Sequence, residues 1–314
     1  MRAIARWAAV LALLTGASLA AIRETPPTAS AASNGPVPIC VPKTGPASPI
    51  CSRWAPRDLW TKPTPIYTAQ FAYDPSQPSL HAYAAWIASA ATDLALYPGY
   101  KGPGQTSLPR GPEMVPLAAR PRLLATFNSG FYEFDAAAGF YVNHTLYFPM
   151  IRGLATVVRY RDGTDDVVAW TGGPHPGANV LMARQNLTLL VSHARVTARA
   201  AQNSLWGVTL HGVAAVWRTA LGVTAQGDLI YAAAPAQTSA SLARVMVLLH
   251  CVRAMQLDIN PEWPIFVTYA GSGAKGPSLY VPNPNQIPGR FLYSSTKDFF
   301  AVYTSSSPGA AQPW

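Results

Sequence analysis

Apolar and polar positions alternate in short runs along most of the chain, and Pro, Gly, Asn and Asp residues separate the runs. A period of two with turn residues between is the pattern of strands. Pro65 to Tyr73 (PIYTAQFAY) alternates β-branched and aromatic residues and predicts a strand. His81 to Ala88 predicts a second, although its alanines leave a helix open. Tyr97 to Pro121 is rich in Gly and Pro and reads as a long loop or a set of turns, a length that often carries function. Arg122 to Phe127 is a short apolar strand ended by Asn128-Ser129-Gly130. Leu154 to Tyr160 and Val167 to Trp170 flank RDGTDD, an Asp-Gly hairpin signal. Asn186 to Ser192 continues the β pattern. Ala214 to Thr224 and Leu229 to Ala233 flank AQGD, which puts Gly227 in a turn. One stretch breaks the period: LARVMVLLHCVRA is apolar nearly all round, and Ser239 or Ser241 can cap it as a deeply buried helix. Gln256 to Ile259 then reads as the strand that follows.

A helix among mostly antiparallel strands predicts an α+β fold, a mixed sheet core packed with a buried helix. No internal repeat or second composition regime divides it, so one domain is expected over residues 63–304. Residues 32–62, rich in Pro, Ser and Ala, read as a lead-in, and residues 305–314 as a loose tail. Arg2 and Arg6, the apolar run from Trp7 to Ile22, and Ala29-Ser30-Ala31 have the form of a secretion signal over residues 1–31. The run is short for a spanning helix. The chain is therefore expected outside the cell or at the envelope, without stable membrane insertion. Export permits disulfides, and Cys40 and Cys51 are close enough to pair. Cys251 is left over as a buried thiol in the helical run.

Composition narrows the function classes. Of the 314 residues, 49% are apolar and 12% charged, which excludes disorder over most of the length. The net charge is +9, and loss of the signal would leave about +7. That balance suits an anionic polymer such as phosphate-bearing wall chains, and equally a basic surface that aids solubility. The basic residues are scattered, so no nucleic-acid partner is expected. His144, His175 and His211 sit near Gly or Pro in loops, and His250 falls in the helical run as a core residue. No pair has zinc-motif spacing, and HExxH, Walker, GxGxxG and GxSxG patterns are all missing. No cofactor is expected; a divalent metal site could only be assembled from distant residues.

Three stretches can carry chemistry. In TFNSGFY (126–132) a strand ends in an amide, a small residue and Gly130, whose freedom lets backbone N–H groups face a ligand; an ordinary strand-ending turn is the bland alternative. In WRTALGVTAQGDLI (217–230) Arg218 can bind a phosphate in bidentate fashion with Thr219 and Thr224 nearby, or pair with a surface acid at a sheet edge. In AMQLDINPEWP (254–264) Leu257 and Ile259 alternate with Asp258. If those two face the core, Asp258 faces a cleft or solvent. Asp258 and Asn260 could instead simply make Asx turns. Sequons at Asn143 and Asn186 matter only in a glycosylating host.

In order, these segments resemble the phosphodiester glycosidase family over roughly residues 120–304. Its NGGFF-like motif is matched by Asn128-Ser129-Gly130-Phe131-Tyr132 and its RTALG strand by Arg218-Thr219-Ala220-Leu221-Gly222. Its helix leading to NLDGGGS is matched by a helix leading to Gln256-Leu257-Asp258-Ile259-Asn260, and a closing segment is echoed by Asn283-Pro284 and Arg290. The glycine-rich loop after the aspartate is replaced by Ile259-Asn260-Pro261-Glu262-Trp263.

The resemblance implies cleavage of a sugar-1-phosphodiester, with a carbohydrate or sugar-phosphate polymer as partner. Asp258 is then expected to face the cation-like anomeric carbon and Arg218 to hold the departing phosphate. Glu262 is the candidate second acid or base. Asn128 would orient an oxygen, Trp263 or Phe131 would stack on the sugar, and Gly130, Thr219, Thr224 and Asn260 would line the site. His175 and His211 are reserve proton carriers. Two alternatives stand beside this. One is a secreted glycan-binding protein without activity. The other is a glycosidase for non-phosphorylated glycans using Asp258 and Glu262.

Overall fold

The computed structural model describes residues 35–42, 48–207, 212–306 and 313. The secretion signal, His211 and most of the expected tail lie outside the described residues. Every strand pairing among the described residues is antiparallel. One helix, Ser239–Leu248, is longer than a single turn or two, which gives the α+β class expected from the pattern. No helix among the described residues is long and apolar enough to cross a membrane.

Three sheets enclose the main core. The largest has eight strands in the order Arg195–Val196, Leu189–Ser192, Cys251–Gln256, Val216–Thr224, Leu229–Gln237, His81–Ile87, Ile66–Ala72 and Ala55–Pro56. Ala55–Pro56 belongs to the lead-in, so the folded body reaches back past residue 63. A second sheet orders Lys275–Leu279, Phe266–Gly271, Leu123–Asn128, Phe299–Thr304 and Thr92–Tyr97. A third orders Asp165–Ala169, Ala155–Tyr160, Val180–Gln185, Phe140–Val142 and Thr145–Phe148. The expected 155–169 hairpin is present, with Gly163 at φ +92° in its turn. A small hairpin, Ile39–Val41 with Ile50–Ser52, carries the Cys40–Cys51 disulfide.

The central strands Val216–Thr224 and Leu229–Gln237 of the large sheet are buried on both faces, which is why they are apolar along most of their length. One face meets the other two sheets through Leu221, Val223, Tyr231 and Met255 against Phe127, Phe266, Phe300, Phe140 and Met182. The other face is covered by the helix, through Leu242, Val245 and Met246 against Ala220, Ala232 and Ala254. Alternation along Val216–Thr224 therefore sends Arg218 and Ala220 to the helix side and Thr219 and Leu221 to the side between sheets.

The helix differs from its sequence reading at both ends. Its N-cap is Thr238, whose hydroxyl accepts from Ser241 N while the Ser241 hydroxyl accepts from Thr238 N. Ser241 is thus the third residue of a capping box and Ser239 the first helical residue. The helix stops at Leu248 because His250 takes a left-handed conformation (φ +61°) and its N–H bonds Val247 O. Cys251 then opens the strand Cys251–Gln256 instead of continuing the helix, and His250 is exposed, not a core residue. An apolar run cannot by its period alone divide a buried helix from a buried strand. Cys251 is fully buried, and burial pushes its thiol up. Val180–Gln185 is a strand that the pattern did not announce.

Gly222 sits where its strand packs closely on both the neighbouring strand and the helix. A methyl group built there would lie 2.7 Å from Cys251 Sγ, 2.9 Å from Arg253 O and 2.9 Å from Met246 Cε. Gly222→Ala is therefore expected to destabilise the fold by about 1–3 kcal/mol, read as a lower midpoint in denaturant unfolding.

Candidate functional site

The three stretches singled out in the sequence do converge, and Asn128 is where they meet. It ends the strand Leu123–Asn128 and points between the sheets. Its amide Nδ2 donates to Thr219 Oγ1 (2.9 Å) and Ser129 O (3.1 Å). Its Oδ1 accepts from Tyr231 OH (2.9 Å) and Ile265 N (3.3 Å). Thr219 passes the connection on by donating to Asp258 O at 2.7 Å. Backbone bonds from Leu257 N to Thr219 O and from Asp258 N to Ser129 O complete the junction. Asn128 and Thr219 are thus saturated by protein partners. Through these bonds they place Asp258.

Asp258 does not stand in an open cleft. The strand ends at Gln256, so the two-residue alternation no longer applies, and Leu257, Asp258 and Ile259 are all buried. Both Asx turns raised as the bland alternative exist. Asp258 Oδ1 accepts from Asn260 N (2.8 Å), and Asn260 Oδ1 accepts from Glu262 N (3.0 Å). The other carboxylate oxygen takes something the sequence reading missed: the ammonium of Lys297. Their side chains are only 3% and 7% exposed. Burial raises the Asp258 pKa; Lys297 and the Asn260 N–H oppose that rise.

Two aromatic rings flank the Lys297 ammonium. Tyr132 lies 4.2 Å from it and Trp263 5.4 Å, with Arg290 on Trp263 at 5.6 Å. Burial, then the nearby Asp298 and Asp258 carboxylates, push the Tyr132 phenol up to about 12. Asp298, next in the chain, pairs with buried Arg184 at 2.8 Å. Arg184 also donates to Phe131 O and Gln185 O and so holds the NSGFY turn. Asn186 braces that turn from below, its Oδ1 accepting from Phe131 N (3.3 Å) and its Nδ2 donating to Gln256 O (2.8 Å). Gly130 is required there, since a Cβ would fall 2.9 Å from Asn186 Cγ. The Ser129 hydroxyl is buried and has no hydrogen-bond partner.

The remaining expected residues are placed differently. Arg218 is fully buried on the opposite face of its strand, not at a sheet edge. It donates to Gln237 O, Trp206 O, Gln256 Oε1 and Asn203 Oδ1, all neutral acceptors. Burial alone lowers its pKa to about 10. No bond or ion pair joins it to Asp258. Phe131 is buried against Gly207 rather than offered as a platform. Glu262 is exposed, tied to the group only by its backbone, with its O accepting from Gln286. Thr224 stands at the far end of its strand, its hydroxyl accepting from Asp228 N. His175 lies on an exposed loop away from these contacts, and His211 is outside the described residues. Among the described residues, no three His, Cys, Asp or Glu side chains come together as a metal site.

Comparison with known proteins bears on the fold. No family model matches the chain, and no curated protein matches it. Among solved structures it is similar to the zebrafish N-acetylglucosamine-1-phosphodiester α-N-acetylglucosaminidase catalytic domain, auto-inhibited by its pro-peptide. That likeness has 13% identity and a TM-score of 0.51, over 82% of this chain and 90% of the other. Weaker likenesses are to a hypothetical protein from Synechocystis (12% identity, TM-score 0.46, 78% and 63% of the two chains). Another is to a putative exported protein from Burkholderia pseudomallei (14%, 0.37, 78% and 76%). The likeness to the zebrafish domain establishes a distantly shared fold, and the family resemblance drawn from the motifs reaches no further than that.

Lys297 and Asp258 compensate each other in a nearly dry setting, so removing one partner leaves a buried charge alone. Lys297→Met is expected to cost about 3–5 kcal/mol. Asp258→Asn/Lys297→Met together should cost clearly less than the sum of the two singles, measured as a double-mutant cycle by denaturant unfolding.

Proposed function

We propose that the chain is a secreted hydrolase that cleaves a sugar-1-phosphodiester in cell-wall or extracellular glycans. The observation that carries this reading is the Asp258–Lys297 pair lodged between the rings of Tyr132 and Trp263. It unites what that reaction needs in one place: an acid for the cation-like anomeric carbon, a cation for the departing phosphate, and ring faces for a sugar. Asp258, ionised, stabilises or attacks the anomeric carbon. The bond from that carbon to the phosphate oxygen breaks, and the phosphate leaves with the electron pair, held by Lys297; a water then bonds to the anomeric carbon, displacing Asp258 if it had attacked, and gives up its proton to solvent. A phosphate is a good leaving group, so little acid assistance is required. Lys297 takes the role in this reading that the sequence assigned to Arg218.

The burial of the pair favours a second reading. Asp258 and Lys297 expose little surface to a substrate, and Ile259 and Pro261 stand where a glycine-rich loop would let a sugar approach the backbone. A wall-glycan binding protein that keeps the frame without turnover meets both observations.

Incubation with sugar-1-phosphodiesters and with wall polymer, assaying sugar release and retention separately, divides the two. Retention without release supports the binding protein. If the enzyme reading holds, Asp258→Asn lowers release by about 100-fold, the ~3 kcal/mol typical of a lost charge-stabilising contact. Full turnover by Asp258→Asn removes Asp258 from the mechanism. Because burial raises the Asp258 pKa, kcat/KM should fall as pH drops through a midpoint above the usual aspartate value of about 3.9. Lys297 opposes that rise, so a Lys297→Arg variant should keep the midpoint, and Lys297→Met should move it upward.

A further inference from the structure

A cavity of about 220 Å³ opens on the helix-side face of the large sheet, beside the hairpin turn at Gln226. Its lining includes Trp54, Trp86, Asp228, Ile230, Leu249 and His250. It is separate from the Asp258 group. Thr224 lines it too, five residues along the strand from Thr219, about 17 Å at the rise of an antiparallel strand.

The cavity holds one buried acid, Asp228, among walls that are mostly apolar, with Thr224, Gln226 and His250 as its other polar lining. Asp228 is 6% exposed and Trp86 4%. The Asp228 carboxylate accepts from Ser89 N (3.3 Å), and no basic side chain among the described residues pairs with it. An ionised carboxylate buried without a cation is costly, and burial raises the Asp228 pKa accordingly, with Ser89 N–H and Trp86 opposing. The Trp54 indole N–H is already engaged with Val37 O at 2.8 Å. Trp54 therefore offers a ligand its ring surface, and Trp86 lines the cavity next to Asp228. The Thr224 hydroxyl accepts from Asp228 N, and the one charged group that the apolar walls hold is the Asp228 carboxylate. A positive head group with an apolar surface finds all it needs: a counter-charge, indole faces and aliphatic walls.

We propose that this cavity binds an organic ammonium group, with Asp228 as its counter-ion and Trp54 and Trp86 as its walls. The site is independent of the hydrolase reading, since it shares no residue with the Asp258–Lys297 group.

The test titrates the full chain at pH 8 with choline and, in parallel, with its uncharged isostere 3,3-dimethylbutan-1-ol, at matched ionic strength. Indole N–H resonances of Trp54 and Trp86, assigned by Trp→Phe variants, are followed by NMR. Choline is expected to shift both indoles saturably and to bind at least about tenfold more tightly than the isostere, the margin a desolvated cation–π contact supplies. Asp228→Asn should remove that preference while leaving the isostere's binding unchanged. Should Asp228→Asn fail to fold, Trp54→Ala, at a half-buried position, should weaken choline at least fivefold. Equal binding of both probes, no saturable shift with choline, or choline binding unchanged in these variants overturns the proposal.

Discussion

Four hydrogen bonds to one amide hold the centre of this protein. Asn128 ends a strand of one sheet, and its side chain reaches Thr219 and Tyr231 in another and the backbone at Ser129 and Ile265. It sits at the margin of a core built from Phe127, Phe266, Phe300 and Tyr231, where an unpaired amide would be expensive and a paired one is strong. Both its donor hydrogens and its acceptor oxygen are used. Rotation or displacement of that side chain would therefore break bonds to several elements at once. The position of Asp258 follows, because its carbonyl and its N–H are bonded to Thr219 and Ser129.

How much of this was legible from residues alone depends on the range over which each signal acts. Strands and hairpins are local, and alternation with Asp-Gly and Gln-Gly turns located eight of the twenty strands among the described residues, including both long central hairpins. The convergence of residues 126–132, 217–224 and 254–264 was legible too, since each carries polar residues where an apolar strand ends. Lys297 was not. A single Lys-Asp step before an aromatic strand looks like a solvated edge, and only the sheet that brings Phe299–Thr304 beside Leu123–Asn128 buries it near Asp258. Arg218 misled for a related reason. Its neighbour Thr219 does reach the junction, but adjacent strand residues face opposite sides, and the arginine went to the helix side. The helix was overrun by several residues because nothing in an apolar run signals that His250 will turn left-handed.

The large sheet separates two environments that the composition blends together. Between the sheets the polar groups form a connected set, running from Tyr231 through Asn128, Thr219 and Asp258 to Lys297. On the helix side Arg218 and Asp228 are each buried without an opposite charge among the described residues, Arg218 surrounded by carbonyl and amide oxygens and Asp228 beside two tryptophans. Buried polar groups that neutralise one another specify geometry. Those left with net charge tend to mark places where something else can contribute it.

Asn186, which braces the NSGFY turn, also heads the tripeptide Asn186-Leu187-Thr188, an acceptor sequence for N-linked glycans. In the folded protein its amide is wholly buried and bonded at both ends. An oligosaccharide attached there during synthesis would have no room, and the strand it follows could not close onto Gln256. Production in a eukaryotic secretory pathway would thus set sugar transfer in competition with chain closure, whereas a host lacking that transferase would not.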